Sequence, residues 1–179
     1  MSESARKHRE SSPEKIRVAV LTVSDTRVPE TDTGGNIIVE LMREAGHEVS
    51  HREIVRDDAP RIQEILQSLL ANEDVDAVIT TGGTGVSDRD TTYEVVSRLI
   101  DKRLDGFGEL FRMLSYEEIG AAAMLSRAVA GSVATASGSK FIACLPGSSN
   151  AVRLAMEKLL VPEIPHVVFE LRKHRMEAR

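Results

Sequence analysis

Aromatic side chains are scarce in this chain, at 3% of 179 residues with no tryptophan. Few platforms are therefore available on which bases could stack. A basic excess is missing too: 23 Lys and Arg against 28 Asp and Glu leave a formal charge of −5. Both absences argue against a general nucleic-acid binder. Cys144 is the only cysteine, so no intrachain disulfide can form. It lies in the apolar run Phe141-Ile142-Ala143-Cys144-Leu145 and reads as a small buried hydrophobe. Long apolar runs are lacking as well: none reaches the roughly 20 residues that span a bilayer, and the amino terminus does not resemble a signal peptide. A cytoplasmic protein with neither membrane nor nucleic-acid partner is expected.

What is present is an ordinary globular composition, 41% hydrophobic and 28% charged, long enough for one domain. Residues 1–14 are polar and aperiodic and read as a disordered tail. Residues 15–171 form the expected domain, and 172–179, opening on Arg172-Lys173-His174-Arg175, a solvated basic tail.

Within the domain, β-type runs alternate with helical patterns. Strands are expected at 16–23, 47–55 (nearer a sheet edge) and 75–81. Apolar stripes at Ile37, Ile38, Leu41 and Met42, and at Ile62, Ile65, Leu66 and Leu69, mark helices between them. Gly46 is placed to cap the first and Pro60 to open the second. A helix follows at 91–100, then a mostly helical region at 108–127. Residues 129–135 and 140–145 can pair as a hairpin around Ser137-Gly138-Ser139. The last helix spans 151–160, with Pro162 and Pro165 interrupting it. The predicted architecture is a three-layer α/β/α fold with a mainly parallel central sheet and a small hairpin.

In such a sheet, ligands bind beyond the carboxyl ends of the strands. Three loops leave strand ends there: Ser24-Asp25-Thr26 running on to Asp32-Thr33-Gly34-Gly35, Gly82 to Asp90, and Pro146-Gly147-Ser148-Ser149-Asn150. The second is the most informative. Gly82, Gly83 and Gly85 would let a phosphate approach the backbone, and Thr84 adds a hydroxyl. The lysine and spacing of a Walker motif are absent, as is GxGxxG. Asp90 before a helix and Asp57-Asp58 before Pro60 each admit a capping reading. Jointly, Asp57 and Asp90 beside a phosphate loop could hold Mg²⁺ through oxygen, a site suited to phosphoryl or nucleotidyl transfer. The five histidines lack zinc spacing, and no G-x-S-x-G elbow is present. Ser115 and Ser126, on helical segments, read as surface or capping serines.

Five segments in order, LTVSDTR at 21–27, TTGGTGVSDRD at 80–90, GFGELFRMLSYEEIG at 106–120, AMLSRAVAG at 123–131 and LPGSSNAV at 145–152, resemble the MoaB/MogA family of molybdenum-cofactor biosynthesis proteins, which includes the gephyrin G domain. GFGELFRMLS is closest to the MoaB branch. The resemblance implies a molybdopterin-binding α/β fold and a homotrimer, often doubled to a homohexamer, with other enzymes of the pathway as further partners. It implies transfer of AMP from Mg-ATP to the terminal phosphate of molybdopterin, releasing pyrophosphate. By position, Asp57 and Asp90 would organise Mg²⁺ and the triphosphate, and Ser115 and Ser126 would line the pterin end. Gly82 to Gly85 and Pro146, Gly147 and Ser148 would donate to phosphates, and Ser24 and Asp25 belong to the first family loop. Many active members read PGNP where this chain has Pro146-Gly147-Ser148-Ser149. A non-catalytic pterin-binding or scaffold protein is the alternative, since the MoaB branch also includes members without the activity. A third reading, the domain as fused to nicotinamide-nucleotide amidases, lacks the added catalytic domain.

Overall fold

Val18, Ala19, Val20, Leu21 and Val23 are all buried, as a strand covered on both faces requires. They belong to β1 (Arg17–Val23), near the centre of the sheet in this computed structural model, which describes residues 12–177. Residues 1–11 of the predicted amino-terminal tail lie outside that range. The chain continues through α1 (Thr33–Glu44), β2 (Glu48–Val55), α2 (Ala59–Ala71), β3 (Ala77–Thr81), α3 (Thr92–Leu99) and β4 (Lys102–Arg103). It then forms α4 (Asp105–Ile119), a 3₁₀ turn (Gly120–Leu125), the strands β5 (Val129–Thr135) and β6 (Gly138–Leu145), and α5 (Ser149–Ala155). A π turn (Met156–Leu160) leads into α6 (Val161–Glu177).

Among the described residues, six strands form one sheet in the order β2-β1-β3-β6-β5-β4. The first four run parallel, while β5 pairs antiparallel with β6 and β4 with β5. Alternation along the strands feeds two cores. Val18, Val20, Ala77, Ile79, Phe141 and Ala143 meet α1, α4, α5 and α6 on one face. Ala19, Leu21, Val78, Ile142 and Cys144 meet α2 and α3 on the other. Gly46 takes φ +84° just past α1, a left-handed conformation that costs glycine little.

Three local features differ from expectation. Lys102 and Arg103 form β4, a strand too short to leave a period in sequence; a Cβ at Gly131 would lie 2.4 Å from Lys102 O. Neither Pro162 nor Pro165 stops the final helix. A proline inside a helix costs about 3 kcal/mol because it loses a hydrogen bond and crowds the preceding carbonyl. Here the wide π turn ends one residue before Val161-Pro162 opens the helix, and Met156, Leu160, Ile164 and Val168 bury one stripe against the sheet. At roughly 1.5–3 kcal/mol per buried side chain, that stripe outweighs the loss. The helix therefore continues to Glu177, into the expected basic tail. Arg172 is half-buried and bonds the carboxylate of Asp76, itself 4% exposed, so the boundary drawn at 172 falls inside an element.

Candidate functional site

The sheet order turns at β1: the chain leaves it toward β2 on one side and returns as β3 on the other. Loops leaving β1 and β3 diverge there and open a crevice, the usual ligand position in parallel α/β sheets. A cavity of about 390 Å³ occupies it, between the loop after β1, the start of α1, Asp57 before α2, the glycine loop and Gly147.

The glycine loop is shaped by close approach. Gly82 has φ +92°, and a Cβ there would lie 2.1 Å from Val23 O. Gly83 has φ +63°, and its Cβ would meet Thr92 Oγ1 at 2.1 Å and Asp57 Oδ2 at 2.4 Å. Larger residues would displace the loop or the carboxylate. Not every amide of the loop is available, however. Gly82 N–H donates to Leu145 O at 3.2 Å, and Gly85 N–H is turned to the Asp90 carboxylate. Gly83 and Thr84 are the loop's candidate backbone donors.

Four carboxylates line the cavity: Asp25, Asp32, Asp57 and Asp90. Two are committed to structure. Asp32, 1% exposed, caps α1 by accepting from Gly35 N–H at 2.9 Å, and its other oxygen accepts from Thr22 Oγ1 and Arg52, each at 2.9 Å. Asp25 pairs with Arg89 at 2.6 Å. Asp57 and Asp90, by contrast, have no ion-pair partner among the described residues.

Neither of those two is a helix cap. Asp58 caps α2, accepting from Arg61 N–H at 2.9 Å. Asp57 Oδ1 instead accepts from the Thr91 hydroxyl at 2.6 Å and the Thr91 amide at 3.2 Å, which couples the β2–α2 loop to the β3–α3 loop. Asp90 Oδ2 accepts from Ser87 Oγ at 2.5 Å and Ser87 N–H at 3.2 Å. Hydrogen bonding from the Ser87 hydroxyl outweighs partial desolvation, and with the Ser87 and Gly85 amides and the charge of Arg127 it holds the Asp90 carboxyl below its usual range. Asp90 is therefore anionic at neutral pH.

No cluster of three or more His, Cys, Asp or Glu side chains among the described residues makes a metal cage. Two unpaired carboxylates beside a glycine loop suit a divalent cation that arrives with its own oxygen ligands. The donor set thus fits a magnesium–polyphosphate.

Ser24, Asp25, Asp57, Gly82, Gly83, Asp90 and Gly147 all line this cavity, while Thr84, Gly85, Ser115, Ser126, Pro146 and Ser148 stand outside its lining. Ser115 is buried and donates to Phe111 O within α4 at 2.8 Å. Ser126 ends the 3₁₀ turn beside Arg127, which donates to Thr84 O at 2.8 Å. Pro146 O accepts from Thr81 Oγ1 at 2.9 Å, and the Ser148 hydroxyl caps α5 through Ala151 N–H.

Thr22, Arg27 and Arg89 also line the cavity and were not singled out from sequence. Arg89 carried no local signal, because its partner Asp25 is 64 residues away. Cys144 is fully buried, which pushes its thiol up to about 12 and leaves it unreactive.

The chain matches the domain family described as "probable molybdopterin binding domain" over residues 19–166. It is 50% identical over 171 residues to molybdenum cofactor biosynthesis protein B of Bacillus cereus, covering 95% of this chain and 99% of the relative. A crystal structure of a molybdenum cofactor biosynthesis protein B superposes with a TM-score of 0.85 at 51% identity, covering 91% of this chain and 99% of the other. The tungsten cofactor synthesizing protein MoaB of Pyrococcus furiosus superposes with a TM-score of 0.80 at 36% identity, covering 90% and 99%. Over nearly its whole length, then, the chain belongs to the MoaB/MogA family, on the side of molybdenum cofactor biosynthesis protein B.

Proposed function

We propose that this protein is a molybdopterin adenylyltransferase of molybdenum cofactor biosynthesis. The single observation that carries this reading is the pair Asp57 and Asp90. Both are held in place by hydroxyls, both lack an ion-pair partner among the described residues, and both face a cavity walled by a glycine loop. A site that only bound an anionic pterin would gain nothing from two carboxylates that no ion pair engages. A site that accepts Mg-ATP would.

In the proposed reaction, an oxygen of the terminal phosphate of molybdopterin attacks the α-phosphorus of ATP. The bond from that phosphorus to the bridging oxygen of the β-phosphate breaks, and pyrophosphate leaves with the electron pair. No protein nucleophile is needed, which agrees with a buried thiol and a site without a nucleophile–base pair. Asp57 and Asp90 would hold Mg²⁺, which when bound offsets phosphate charge and lowers the barrier electrostatically. The Gly83 and Thr84 amides would take phosphate oxygens. Arg27 and Arg89 line the same cavity and would bring positive charge to the polyphosphate, Arg89 by exchanging its pairing with Asp25. Ser115 and Ser126 would serve the pterin from the α4 side.

The proposed working form is a homotrimer or homohexamer in the cytoplasm. Leu110, Met113, Tyr116 and Ile119 on α4, with Met124 and Leu125 beyond it, are large exposed apolar side chains on adjoining segments. Met124 is 80% and Tyr116 64% exposed. An apolar surface of this kind supports association. The reading is tested by offering molybdopterin and Mg-ATP to the purified protein and following adenylyl-molybdopterin and pyrophosphate. Pterin binding without adenylate would instead leave a non-catalytic scaffold of the same pathway.

A further inference from the structure

Arg127 stands outside the cavity, between the 3₁₀ turn and β5, yet its guanidinium is almost wholly engaged by the glycine loop and α3. Its Nε donates to Thr84 O at 2.8 Å, and one terminal nitrogen donates to Gly85 O. Both terminal nitrogens reach the carboxylate of Glu94, in a fork. The guanidinium carbon also lies 4.7 Å from the Tyr93 ring centroid, over its face. Two consecutive carbonyls of a glycine-rich loop are thus tied to one rigid plane, and that plane is held from α3 by charge and by stacking.

The consequence is a loop fixed along its length. Arg127 holds the Thr84 and Gly85 carbonyls and the Thr92 amide donates to the Gly83 carbonyl at 2.9 Å, so three successive peptide groups are restrained. Beyond them, the Ser87 hydroxyl and amide bond the Asp90 carboxylate. A loop with glycines at 82, 83 and 85 has large conformational freedom when unbound, and restraining it beforehand reduces the ordering cost of binding.

We infer that Arg127 is the positioning residue for phosphate binding, holding the glycine loop in its binding conformation through a fork shared with Glu94 and the loop carbonyls. The inference rests on the reading of the cavity as a nucleotide site. Lysine at this position keeps the charge but cannot reproduce the planar fork.

The test is calorimetric titration of the full-length protein with Mg-ATP, comparing wild type, Arg127→Lys, Glu94→Gln and the double variant, with thermal unfolding run on each. Arg127→Lys should weaken Mg-ATP by about tenfold and Glu94→Gln by about threefold. Because both act through one fork, the double variant should bind about as weakly as Arg127→Lys alone, instead of showing the product of the two losses. That coupling distinguishes shared positioning from independent structural damage. Wild-type affinity in Arg127→Lys overturns the inference, as do losses that multiply in the double variant. If Arg127→Lys does not fold, Glu94→Gln decides: a threefold weaker Kd at unchanged thermal stability supports the inference, and an unchanged Kd overturns it. A wild type that binds Mg-ATP but makes no adenylate refutes the transferase reading and leaves this inference standing. A wild type that does not bind Mg-ATP overturns both.

Discussion

At the residue scale, three aspartates that look interchangeable in sequence have different surroundings. Asp58 satisfies a helix amide, whereas Asp57 and Asp90 hold hydroxyl partners and no cation. Asp58→Ala should therefore cost about 1 kcal/mol in denaturant unfolding, the usual value of a lost N-cap, with adenylate formation kept. Asp57→Asn should do the reverse, leaving the unfolding midpoint nearly unchanged while turnover falls on the order of 10²-fold. Gly83 provides a second contrast. Its φ of +63° and the 2.1 Å approach to Thr92 Oγ1 leave no room for a methyl group. Gly83→Ala should lose Mg-ATP binding in a titration, with roughly 1–3 kcal/mol of stability lost to backbone strain.

At the element scale, the strands were the most readable part of the sequence. β1 and β3 are largely apolar and buried almost throughout, and β2 is more polar because it lies at the edge of the sheet. The glycine loop could be placed because it directly follows such a strand. The last helix was misread because Pro162 and Pro165 are local signals, while the stripe that overrides them is a tertiary fact. The roles of Arg89 and Arg127 were equally hidden: their partners lie 64 and 43 residues away in sequence, brought close only by the sheet order. If packing holds α6 together, Ile164→Ala should lower stability by about 2–5 kcal/mol, read as a shift in the unfolding midpoint.

At the scale of the whole molecule, a few buried charges tie distant parts together and set the response to pH. Burial pushes the Asp76 carboxyl up, but hydrogen bonds from the Arg17 side chain and amide and from Arg172 outweigh it and keep it below its ordinary 3.8. The unfolded chain then takes up a proton below that pH which the folded chain refuses, so stability falls as pH drops through this range. His47 acts in the same direction at higher pH. Desolvation holds its imidazole below the ordinary 6.5, so the fold loses stability as pH falls beneath 6.5. Unfolding midpoints should decline on acidification in both windows, and His47→Gln should flatten the upper one. The exposed face of α4 belongs to this scale too: Met113→Asp should lower the mass seen by light scattering toward that of a single chain, if trimer or hexamer assembly uses that face. The most direct test of the proposed chemistry compares wild type and Asp90→Asn with molybdopterin and Mg-ATP, following adenylyl-molybdopterin and pyrophosphate together. Wild type should release the two products in equal amounts, and Asp90→Asn should bind pterin but fall on the order of 10²-fold in turnover; wild type that binds pterin and yields no adenylate, or Asp90→Asn at wild-type rate, would contradict it.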